Sequence, residues 1–141
     1  MRIYLIFIVC SVFISFSSMG QKNEYLICLL TIEGGFKNDT LSLKVNECEV
    51  LKETLVVSSE NDGITDVQVS LHRHKNLLYV DLHGKDETIC KIKDDRLKFT
   101  IILNTSSKVF EVDLSRGKYL SISKSELGIE LSQNKTQPLY D

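Results

Sequence analysis

From Glu24 to Gln133 the chain reads as a succession of short β-branched, aliphatic and aromatic runs, each cut off by turn formers. Examples are EYLICLLTI, TLSLKV, LKFTIIL, VFEVDL and GIELSQ, separated by EGGFKND, KDDR, NTSSK and KSEL. No stretch keeps apolar residues at three- and four-residue spacing for three helical turns, so amphipathic helices are excluded as building blocks. TDVQVSL instead alternates apolar and polar residues, the period of a strand with one face in a core. Eight to ten strands of this length, spaced roughly every ten residues, predict an all-β fold: an antiparallel β-sandwich, each strand burying one face against a second sheet. The single proline, Pro138, falls after the last run, where its missing N–H disturbs no ladder.

The stretch SLHRHKNLLYVDLHG holds all three histidines. Lys75–Asn76 has the length of a two-residue hairpin loop, and Asn76 tolerates the positive φ that such loops need. This register sets His74 opposite Leu77, His72 opposite Tyr79, Ser70 opposite Asp81 and Gln68 opposite His83. Side chains alternate across a sheet, so Val67, Val69, Leu71, Leu78, Val80 and Leu82 form the core face. His72, His74, Tyr79, Asp81 and His83 fall on the other face. His72 and His74 then stand about 7 Å apart, whereas His83 lies roughly 13 Å from His72. Zinc takes its ligand atoms at about 2.0–2.1 Å, so the three histidines cannot converge on one ion. A set of His72, His74 and Asp81 stays open as a metal alternative, because Asp81 sits diagonally beside His72. As a binding face the candidates are His72, His74, Tyr79 and Asp81.

The N-terminal MRIYLIFIVCSVFISFSSMG has one positive charge, an apolar run and then small residues ending at Ser18 and Gly20. That layout predicts a secretory signal over residues 1–20, its apolar run being shorter than the ~20 residues of a spanning helix. It resembles bacterial export signals. The expected mature chain starts at Gln21, with a single domain over 21–134 and a tail over 135–141. Losing Arg2 takes the formal charge from −2 to −3. So balanced a chain, without clustered Lys and Arg, speaks against a nucleic-acid surface, and no later apolar run could span a membrane. The expected location is periplasmic or extracellular.

Export permits disulfides. Cys28 lies in the apolar YLICLL, where a thiol behaves as a small hydrophobe, while Cys48 and Cys90 have more polar neighbours and are the candidate pair. Three free thiols are the alternative. Sequons at Asn38, Asn104 and Asn134 are surface glycosylation sites if the source glycosylates its exported proteins. There is no C-x-x-C, G-x-S-x-G, H-E-x-x-H, P-loop or dinucleotide glycine pattern. No cofactor and no enzymatic activity are expected.

In FEVDLSRGKYLSIS a strand, a turn at Gly117 and a tyrosine two residues on, Tyr119, open the next strand. This Gly117-Lys118-Tyr119 step resembles the late corner of immunoglobulin-like and transthyretin-like sandwiches. Ser121 stands where an antibody domain has cysteine, and the chain has no tryptophan. The resemblance covers about 15 residues and implies fold only. Taken together, the residues predict a small exported non-enzymatic module that binds a protein or glycan partner. The alternatives are a metal-binding or enzymatic His72/His74 face and a structural module of an envelope assembly, joined through a strand edge.

Overall fold

The computed structural model describes residues 24–60, 63–83 and 88–139. The segment read as a secretory signal, with Cys10 and the expected start at Gln21, lies outside them. The described residues form ten strands: β1 (Tyr25–Ile32), β2 (Asp39–Val45), β3 (Cys48–Val56), β4 (Gln68–His74), β5 (Leu77–Asp81), β6 (Thr88–Lys91), β7 (Arg96–Leu103), β8 (Ser106–Asp113), β9 (Tyr119–Ser125) and β10 (Gly128–Asn134). They form a six-stranded sheet, β10-β9-β1-β4-β5-β6, and a four-stranded sheet, β3-β2-β7-β8. The fold is all-β, with the two sheets packed face to face. Neighbouring strands run antiparallel except β1 and β9, which are parallel.

The core lies between the sheets. Leu30, Ile32, Val69, Leu71, Leu78 and Val80 come from one layer and Leu41, Leu43, Phe99 and Ile101 from the other, none more than 1% exposed. The β4–β5 register pairs His74 with Leu77, His72 with Tyr79 and Ser70 with Asp81, as the alternation requires. Val67 and Leu82 are partly buried against the same core. The loop differs in one respect. The positive φ falls on Lys75 (54°), not on Asn76. Two further two-residue loops place asparagine at that first position, Asn46 (49°) and Asn104 (54°), where its short amide tolerates the left-handed region. Lysine lacks that relief.

Bulges shape two strands. In β1 the pairing with β4 skips Ile27, and both Ile27 and Cys28 are buried. In β3 the register with β2 slips twice, between partners of Leu41 and Leu43 and again before Lys44. Glu53 at the first slip adopts φ 43°, and its N–H donates to Ser42 Oγ at 2.9 Å.

The layers are tied together at both sides and at one end. Cys48 of β3 and Cys90 of β6 form a disulfide with a Cα–Cα distance of 6.0 Å, joining the edge strands of opposite sheets. Cys28 stays free and buried, and burial pushes its thiol up to about 12. On the other side, Lys108 Nζ of β8 donates to the Ile129 carbonyl of β10 at 2.7 Å. Gln133 Nε2 of β10 donates in return to the Asp113 carbonyl of β8 at 2.8 Å and to that of Gly117 at 2.7 Å.

At the end, the Asp39 carboxylate of β2 accepts from Lys124 Nζ of β9 at 2.8 and 2.9 Å, from Asn104 Nδ2 at 2.8 Å and from the Lys37 N–H at 2.9 Å. Burial pushes this carboxyl up, but the bonds from Lys124, Asn104 and Lys37 and the Lys124 charge outweigh it, and the net shift is downward. Two glycines make the close approaches at these ties. A Cβ on Gly35 (φ 91°) would stand 1.9 Å from the Lys124 carbonyl oxygen, and one on Gly117 (φ 153°) 2.3 Å from that of Asn134.

Candidate functional site

The hairpin face behaves differently from its sequence reading. His72, His74 and Asp81 are half-buried on the outer side of the six-stranded sheet, but Tyr79 is only 6% exposed. Its ladder partners are His72 on β4 and Ile89 on β6, so a strand flanks it on each side. Tyr79 is therefore not an exposed contact residue. Among the described residues no three His, Cys, Asp or Glu side chains come together as a metal set. His72, His74 and Asp81 do not form such a set. His83 lies beyond the end of β5, exposed, with φ 48°.

The sequons also separate. Asn38, Asn104 and Asn134 are all exposed, but Asn104 Nδ2, the nitrogen a glycan would need, already donates to Asp39. Half-buried Tyr119 carries Lys118 Nζ 5.4 Å from its ring centroid. Its corner is fixed by Gly117 and Gln133.

Among the described residues a concave surface lies elsewhere. A half-open groove of about 610 Å³ runs between β3 of one sheet and the start of β4 with the end of β5 of the other. That volume is within the usual range of ligand sites. Val50, Leu51, Val67 and Leu82 give it an aliphatic floor, and Lys52, Asp66 and His83 a mixed polar rim. Leu55 forms a lip and is 59% exposed. The β3 bulges shape its floor: the extra residues put Val50 and Leu51 inside together, against the normal alternation, while Leu55, in regular register with Thr40, faces outward. Two non-glycine residues in the left-handed region, Glu53 and His83, flank the opening. Such residues are uncommon, and they cluster at ligand clamps and active sites.

Sequence reasoning missed this groove, although one signal was there. Leu55-Val56-Val57 is three apolar residues in a row, and a strand with one buried face must expose some of them. Val56 is fully buried, while Leu55 and Val57 are more than half exposed. The residues lining the groove include no Phe, Tyr or Trp, and the rim charges are of both signs. The arrangement can hold an apolar group and orient polar neighbours. Comparisons with known protein families, with characterised proteins and with solved structures return no match.

Proposed function

We propose that the chain is an exported, non-enzymatic binding module that seats an apolar side chain of a partner protein in the groove below Leu55. The observation that carries this reading is the aliphatic floor, continuous from Val50 and Leu51 to Val67 and Leu82, with a large exposed leucine at its mouth. Between the two partner classes expected from sequence, a protein segment fits better than a glycan. Sugar rings favour aromatic faces, and this lining is aliphatic. Support for export comes from the signal-like N-terminal sequence and from a cross-sheet disulfide of the kind that persists in oxidising compartments.

The test is selection of a phage-displayed peptide library on the disulfide-intact mature protein. The selected peptides should share a Leu, Ile, Met or Phe anchor. Leu55→Lys, a change at an exposed site, should weaken them by about 10- to 100-fold, the range expected for losing most of one buried leucine contact. Peptides that bind wild type and Leu55→Lys equally, or no enrichment at all, would remove the groove as the binding site.

A further inference from the structure

We infer that β8 is a self-association edge, through which two copies of this chain join their four-stranded sheets into one continuous eight-stranded sheet. The four sheet edges differ in how they are guarded. β3 is broken by two bulges and β6 is four residues long and bridged at Cys90, while β8 and β10 each have one outward carbonyl held by the other, Asp113 by Gln133 and Ile129 by Lys108. β8 runs for eight residues in unbroken register with β7, from Arg96–Asp113 to Leu103–Ser106. Long, regular, exposed edges are templates for a further strand.

The alternation of the ladder says which groups of β8 face outward. The Asp113 carbonyl accepts from Gln133, and the two-residue loop makes Leu103–Ser106 a bonded pair. Both observations turn the backbone of Ser107, Val109 and Glu111 away from β7. Among the described residues no hydrogen bond reaches these outward groups. Lysine is a usual guard of such edges, but Lys108 is drawn inward to β10.

The occupant is a second copy because β8 is complementary to itself. A two-fold axis normal to the sheet keeps the inner faces of both copies on one side. Centred on Val109, it sets Val109 against Val109 of the other copy and Ser107 against Glu111, and each of these pairs can exchange both backbone bonds. Val109, 51% exposed in the single chain, is covered by its symmetry mate. No like charges meet. Moving the centre one residue to Phe110 pairs Ser107 with Asp113, whose carbonyl Gln133 already holds, and moving it to Glu111 opposes two glutamates. This association is independent of the groove below Leu55.

Analytical ultracentrifugation of the disulfide-intact protein, from low micromolar to millimolar concentration, tests it. Wild type should show a reversible monomer–dimer equilibrium. Val109→Lys, which sets two ammonium groups face to face, should raise the dimer Kd at least tenfold. Val109→Pro removes only an outward N–H, so it should fold and remain monomeric. Val109→Cys should cross-link to itself under mild oxidation, since paired residues of this type have Cα atoms roughly 5.5 Å apart, within disulfide range. Leu55→Lys should leave the dimer unchanged. A wild type that stays monomeric at millimolar concentration, or a dimer whose Kd is unchanged from wild type in Val109→Lys and Val109→Pro, overturns the inference.

Discussion

Replacing both Cys48 and Cys90 by alanine should cost about 4 kcal/mol of folding stability. The figure follows from the loop the bridge closes. Its two ends are 42 residues apart in sequence, and on the chain-entropy account a closed loop of that size restricts the unfolded chain by about 13 cal/mol/K, or about 4 kcal/mol at 25 °C. Domains of this size have about 5–15 kcal/mol in all, so the loss is large. The assay is urea unfolding followed by far-UV circular dichroism, comparing wild type with the double variant. With an m-value of about 2 kcal/mol/M the midpoint should fall by about 2 M, and Tm should drop by roughly 12–20 °C. Because the bridge acts on the unfolded chain, the variant should also unfold with a larger m. Unfolding exposes Cys28, so both proteins are unfolded at mildly acidic pH, where its thiolate is scarce and cannot attack the bridge. A midpoint fall below about 0.5 M with unchanged m would refute the reasoning, because loop entropy would then not be what the bridge supplies.

Three further outcomes are expected. Asp39 has a lowered pKa in the folded state, so its contribution is full above the unfolded value near 3.9 and is lost as pH falls through the folded value. Asp39→Asn should therefore be about 2 kcal/mol less stable than wild type near neutral pH, with the gap closing below about pH 4 in urea midpoints measured across pH. Gly117→Ala should lose at least about 2 kcal/mol in the same unfolding assay, combining a forbidden φ with a clash on the Asn134 carbonyl. Lys75→Asn should gain about 0.5 kcal/mol, seen as a small rise in Tm, by placing at φ 54° the residue type already used at Asn46 and Asn104.

Strand identity was legible in this sequence because it is a local property. The apolar runs overlap the strands, although the run ETLVVS covers only the last four residues of β3, and the β4–β5 register followed from period-two alternation across a two-residue loop. What was not legible depends on partners far along the chain. The bulges in β1 and β3 exist only relative to β4 and β2, so the pairing of Val50 with Leu51 inside could not be read from β3 alone. The burial of Tyr79 has the same origin. Alternation placed it outward correctly, but Ile89 beside it comes from a strand beyond a further turn. The parallel pairing of β1 with β9 joins residues some ninety positions apart and leaves no local trace. The groove combines all of these, since its walls come from β3, β4 and β5.

The unequal fastening of the two sides gives the molecule a spine and a clasp. At β3–β6 the layers are welded by a covalent bond, whereas at β8–β10 they are held by side chains that water can replace one at a time. Any swing of one layer away from the other must therefore pivot on Cys48–Cys90 and gape at the far side, like a book on its binding. The groove below Leu55 lies between β3 and the β4–β5 hairpin, toward the spine, where such a swing moves the walls least. The groove and the margin free to gape thus lie on opposite sides of the same sandwich.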